Sequence, residues 1–342
     1  MNTLRGFTLA AGLAAAFSAV PAAAQQKHTV NQVVATVTFA FLPVYVAEHM
    51  GYFSEEGVDL KTSRVESAQA GLAAIAAGSG NYYLSTPAAG ARSAAQGARI
   101  TNCGALMTQN PNNIVLSEDT VKKIGADRIA AMSPAERIAL LKGLRIAAHS
   151  PGSSPDLTLR YILRESKFSE TDVQVLPITG TSILAALEQK RIDGLIYSSP
   201  LAENAVVKHG ARIVSSFAGG DFRPLAGQLS ITLVCNRDWV EKQTDAAAAT
   251  LRAIWRAMRL MQSDPPKARA AAKKAFPDLD DKIFDMSFDT NRRAFPDNPR
   301  ISRAQMEGAI DFHHKTGGAT IAVKVEDTFT NLAVERAAQT LK

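Results

Sequence analysis

The chain holds two cysteines in 342 residues, Cys103 and Cys235, and they lie far apart. That spacing excludes a cysteine-rich catalytic cluster. Basic residues outnumber acidic ones enough to give a net charge of +6, yet no run of five or more like charges occurs. A positive balance this scattered does not point to nucleic acid as a partner. Aromatic residues make up 6% of the chain, which leaves few rings for stacking a flat ligand. Beyond the N-terminus, no apolar run reaches the ~20 residues that a membrane-spanning helix needs. The six histidines are scattered as well. His149 has no paired nucleophile or base in sequence, and His313-His314 reads as a helix surface, since adjacent positions do not face one ligand. No metal or cofactor is expected.

What is present begins with a leader. Arg5 is followed by an apolar stretch over residues 7–20, then by Pro21-Ala22-Ala23-Ala24. A charged start, a short apolar centre and a small-residue site form the order of a cleavable secretory signal. Residues 1–24 are therefore expected to direct export, with cleavage after Ala24. No cysteine near that site offers a lipid anchor. The remainder has the length of roughly two domains. Export brings Cys103 and Cys235 into an oxidising compartment. Each follows a β-prone apolar run, so a bridge and two buried free thiols both stay open. A bridge needs their Cα atoms within about 7 Å.

Hydrophobic periodicity alternates along the remainder. Strands are expected over residues 30–39, 58–64, 82–85, 100–107 and 114–116, with helices over 44–50, 68–77 and 88–96. A second series has strands at 144–148, 173–176, 192–197 and 212–215, and helices at 156–165, 183–189 and 201–209. Ser133-Pro134-Ala135-Glu136 marks a helix start between the series. From residue 229 one strand, 229–234, leads into helices over 244–261, 267–275, 302–314 and 331–341. The alternation predicts an α/β fold. A helical tail after two such series is explained if the chain returns to complete the first. The expected division is residues 28–117 plus 229–342 for lobe 1 and 118–228 for lobe 2.

Ligands of open α/β sheets sit beyond the carboxyl ends of the strands. Free N–H groups at helix starts there attract anions. Five turns of this chain fit that position and carry small hydroxyl or apolar residues. They nominate Phe39 and Phe41, Ser85 and Thr86, Ser150, Gly152, Ser153 and Ser154, Thr179 and Thr181, and Ser198 and Ser199. Gly152 allows close backbone approach. Asp156 is expected to stabilise its own helix start rather than touch an anion.

Four blocks in order resemble a known family, the nitrate/sulfonate/taurine and thiamine-precursor binding proteins of ABC-type importers. They are FLPVYVAEHMGYFSEEGV at 41–58, LKGLRIA at 141–147 with PGSS at 151–154, LAALEQKRIDG at 184–194, and the stretch 255–276 with its Asp264-Pro265 and Ala268 pattern. In the third block the family glycine is Lys190 here, and the family's closing alanine is Gly194. The resemblance implies a two-lobed type II periplasmic-binding fold with a cleft between the lobes. It also implies a monomeric, periplasmic protein that is not an enzyme. Such a protein captures a small anionic organic solute (a sulfonate, carboxylate or nitrate-like species) by hinge closure and delivers it to an inner-membrane ABC permease with its ATPase. A pyrimidine-type ligand, or a sensor in place of the permease, is the alternative. The stretch 288–293 resembles a segment where some relatives contact ligand, which adds Asn291 to the candidates.

Overall fold

A computed structural model describes residues 27–341. The expected leader, residues 1–24, lies outside the described residues. The strands are β1 (His28–Val34), β2 (Val58–Arg64), β3 (Tyr82–Ser85), β4 (Ile100–Met107), β5 (Asn112–Leu116), β6 (Arg145–Ala148), β7 (Gln174–Pro177), β8 (Gly194–Ser198), β9 (Arg212–Ser216) and β10 (Ile231–Asn236). They form two five-stranded sheets, ordered β2-β1-β3-β10-β4 and β7-β6-β8-β5-β9. The result is an α/β fold of two domains.

The two sheets share one plan. Each has four strands running one way and one antiparallel strand, set between two of them, that is contributed by chain arriving out of the other domain. In the first sheet β10 pairs antiparallel with β3 and β4. In the second β5 pairs antiparallel with β8 and β9. This differs from the expected boundary at residue 117. The strand over residues 112–116 follows β4 in sequence but belongs to the second sheet, so the first crossing spans 108–111. The return crossing spans 217–230 and leads into β10. Among the described residues no helix is long and apolar enough to cross a membrane.

Side-chain parity builds the second domain from both faces of its sheet. Ile114, Leu116, Ile146, Ala148 and Ile196 pack on one side, and Val115, Ala147 and Leu195 on the other. Alternation along a pleated strand requires this division. In the first domain the helix Thr244–Ser263 buries an alanine-rich face, with Trp255, against the same core that holds Leu42, Val46, Phe284 and Phe288. The helix start expected at Ser133 forms a reciprocal cap. Glu136 N–H donates to Ser133 Oγ at 3.4 Å, and Ser133 N–H to Glu136 Oε2 at 2.7 Å. The helix Asp281–Asn291 has no counterpart among the expected elements.

Cys103 and Cys235 form a disulfide, with Cα atoms 5.9 Å apart. The open question of free thiols is thereby decided, since β4 and β10 are neighbours in the first sheet.

Gly194 marks a constraint of strand packing. A Cβ at this position would stand 2.5 Å from the Val115 carbonyl oxygen. Gly194→Ala is therefore expected to cost about 1–3 kcal/mol, because the backbone of β5 must move to admit the methyl group. Urea denaturation reads this as a lower midpoint. An unchanged midpoint would show that β5 and β8 part freely.

Candidate functional site

A cavity of about 450 Å³ opens where the carboxyl ends of strands from both sheets meet the two crossings. Thr38, Ala40 and Phe41 reach it from the turn after β1. Thr86, Pro87, Ala88, Ala89 and Arg92 reach it from the turn and helix after β3. The second domain supplies Gly152, Ser154, Leu157 and Ser198. The crossings add Asn110 and Pro111 on one segment of chain and Gln228, Leu229 and Ser230 on the other, and Ile231 follows at the start of β10. The helix Arg303–Lys315 closes one wall with Ala309, Phe312 and His313, and Thr316 follows it.

Five sequence-nominated residues thus share one cavity: Phe41, Thr86, Gly152, Ser154 and Ser198. The remaining eight do not line it, and each has a physical reason. The strand expected to run through residue 39 stops at Val34, and the chain turns into a short 3-10 helix at Phe39–Phe41. Phe39 then points into the core, where its ring lies 4.4 Å from that of Phe276 and 5.5 Å from that of Phe284. Ser85 is the last residue of β3, and its carbonyl accepts from Thr232 Oγ1. Ser150 Oγ lies 2.8 Å from His149 Nδ1. The Ser153 hydroxyl is buried away from the cavity. Thr179 and Thr181 are exposed on the loop before the helix Ser182–Glu188.

Ser199 and Asn291 bond to each other instead. Asn291 Nδ2 donates to Ser199 Oγ at 2.6 Å, and Ser199 Oγ donates to Glu203 Oε1 at 2.8 Å. This chain links the helix Asp281–Asn291 of the first domain to the second. Burial pushes the Glu203 carboxyl above the ordinary glutamate range, against the opposing hydrogen bonds of Ser199, Thr290 and Ser287.

The cavity's polar groups are held in place by partners of their own. Asn110 Nδ2 donates to Gln228 Oε1 at 3.1 Å and to Thr158 Oγ1 at 3.0 Å, so the two crossings are tied to each other. Asn112 Nδ2 donates to Ser154 Oγ at 3.0 Å. Gly152 N–H donates to Asp156 Oδ2 at 2.8 Å, and Arg160 Nε donates to the same carboxylate. The reading of Asp156 as a stabiliser of its own helix start holds. Gly152 N–H is therefore already engaged by an internal carboxylate. Thr86 Oγ1 caps its helix by accepting from Ala89 N–H at 3.4 Å.

Sequence reasoning missed Arg92, His313, Asn110 and Gln228. Arg92 and His313 sit within helices rather than at the nominated strand-to-helix turns. His313-His314 was expected to be plain helix surface, and the structure turns His313 onto the cavity wall. Burial pulls the His313 imidazole below its ordinary range, its bond to the Ala319 carbonyl opposes that, and nearby Arg92 adds to the lowering.

Comparison with known proteins gives the family and the fold. Residues 27–275 match the model of the NMT1-like family. YtlA of Bacillus subtilis (strain 168), named as a binding protein, is 22% identical over 307 residues, which are 86% of this chain and 86% of YtlA. The periplasmic aliphatic sulphonate binding protein SsuA of Escherichia coli superposes with a TM-score of 0.66 at 17% identity, covering 88% of this chain and 92% of SsuA. The desulfurization enzyme DSZB superposes with a TM-score of 0.65 at 14% identity, covering 92% of this chain and 100% of DSZB. Likeness at these identities shows the fold alone, and this fold carries both binding proteins and an enzyme.

Proposed function

The chain belongs to the NMT1-like family, and from that premise we propose that it is the extracytoplasmic solute-binding component of an ABC importer. It captures a small organic anion between its two domains by hinge closure and presents the closed form to an inner-membrane permease with its ATPase. One observation carries the reading. A single cavity is walled by strand ends of both domains, by both crossings and by the C-terminal helix Arg303–Lys315. Rotation about the two crossings would change every wall of that cavity together, which is what hinge closure requires. The lining offers hydroxyls and amides for recognition. A serine and histidine do come within 2.8 Å at Ser150 and His149, but neither lines the cavity. Binding and release without chemistry is the function these groups serve.

The test is a thermal-shift and calorimetry panel of alkyl- and arylsulfonates, carboxylates, nitrate and pyrimidines on the exported chain. A true ligand at a hundredfold its dissociation constant adds about 2.7 kcal/mol of stability. The ligand should be recovered unchanged. Stabilisation by pyrimidines alone would overturn the anion reading, and conversion of the ligand would overturn the transport reading.

A further inference from the structure

Arg92 stands out among the groups on the cavity wall. It projects from the helix Pro87–Ala95 and is half-buried. Among the described residues no carboxylate pairs with it, and the cavity lining contains no aspartate or glutamate. A partly desolvated guanidinium without a counter-ion favours an anionic partner, because a cation held away from water gains most from a charge-assisted hydrogen bond. At two of the turns nominated for anion binding an N–H is engaged from within: Asp156 takes the Gly152 N–H, and Thr86 Oγ1 takes the Ala89 N–H. At those two turns these N–H groups are taken, and the Arg92 guanidinium is the charged contact that this wall offers. His313 contributes little positive charge at neutral pH, since burial and Arg92 itself both disfavour its protonation.

The rest of the wall is largely apolar. Phe41, Leu157, Leu229, Ile231, Ala309 and Phe312 surround the neutral hydroxyls and amides. A bare inorganic ion would leave those surfaces facing water. A molecule with one charged end and an apolar body would cover them, at about 25 cal/mol per Å² of apolar surface removed from water.

We propose that Arg92 is the charge-reading residue of this cavity and that the solute is an organic monoanion, its sulfonate or carboxylate head paired with the Arg92 guanidinium and its apolar body against Phe41, Leu157 and Phe312. The proposal rests on the solute-binding reading above. One head is enough, because one unpaired arginine lines the cavity and a second negative charge would be desolvated without a partner.

The experiment is titration calorimetry of the full exported chain and of two variants, Arg92→Gln and Arg92→Lys. The probes are 1-hexanesulfonate, hexanoate, sodium nitrate and neutral 1-hexanol. The wild type should bind 1-hexanesulfonate or hexanoate more tightly than nitrate or 1-hexanol. Arg92→Gln should weaken that binding by about tenfold to a hundredfold, and Arg92→Lys, a point charge without the planar fork, should weaken it less. An unchanged melting temperature of each unliganded variant confirms that both fold. Equal affinity of Arg92→Gln and wild type for the organic anion would overturn the role of Arg92 while leaving solute binding intact. Tighter binding of nitrate than of either organic anion would overturn the apolar body. A wild type that binds neutral 1-hexanol as tightly as either organic anion would overturn the anion reading itself.

Discussion

Replacing both cysteines, Cys103→Ala with Cys235→Ala, lowers the stability of the first domain by about 2–5 kcal/mol. The bond joins β4 to β10, and both sulfurs lie in the core, at 1% and 0% exposure. Its sequence separation is 132 residues, and the closed loop contains every strand of the second domain. Chain entropy sets the size of the effect. A loop of that length restricts the unfolded chain by about 5 kcal/mol in the loop-closure estimate, the upper end of what such bonds deliver. Cavities left by two buried sulfurs add to the loss. The readout is direct, because both tryptophans, Trp239 and Trp255, belong to the same core. Their fluorescence in a denaturant titration follows the first domain. Free thiols in the unfolded, unreduced wild type, or coincident titrations of wild type and variant, would sink the prediction.

Phe39→Ala is expected to lose about 3–5 kcal/mol of stability and to leave solute affinity within about twofold of wild type. The ring is 1% exposed, stacked on Phe276 and tilted against Phe284, so truncation opens a cavity that those two packed rings cannot readily fill. Two residues later, Phe41 lines the cavity. The chain reaches this arrangement through Thr38, whose Oγ1 accepts from Ala40 N–H and whose carbonyl accepts from Phe41 N–H. A strand continued through residue 39 would have set both phenylalanines on one face, since period 2 relates positions 39 and 41. The 3-10 turn separates them. Denaturation and calorimetry on the same variant distinguish the outcomes: a stable protein with weakened binding would return Phe39 to the site.

Both predictions depend on features of which the sequence shows one half. That Cys103 and Cys235 sit on strands is readable from the apolar, β-branched residues before them. That they face each other depends on β10 entering between β3 and β4 after the whole second domain has intervened. Phe39 and Phe41 advertise burial equally well and both join the core, and only the turn between them brings Phe41 to the cavity wall as well.

The sequence by itself determined nearly every strand and most helices, the α/β class, the turns at the carboxyl ends of strands and the resemblance in four ordered blocks. Those properties are local: period 2 against 3.6, a capping hydroxyl, a proline in the first turn. Tertiary structure alone decided which sheet takes residues 112–116, because an antiparallel pairing between distant segments leaves no periodic trace in either of them. It also decided which nominated hydroxyls face the cavity and which bond to Asn291, Glu203 or His149. Above all it decided that, among the described residues, no carboxylate pairs with Arg92. Whether a cation is paired depends on every carboxylate the fold brings within reach, and that is a sum over the whole molecule that no short window of sequence contains.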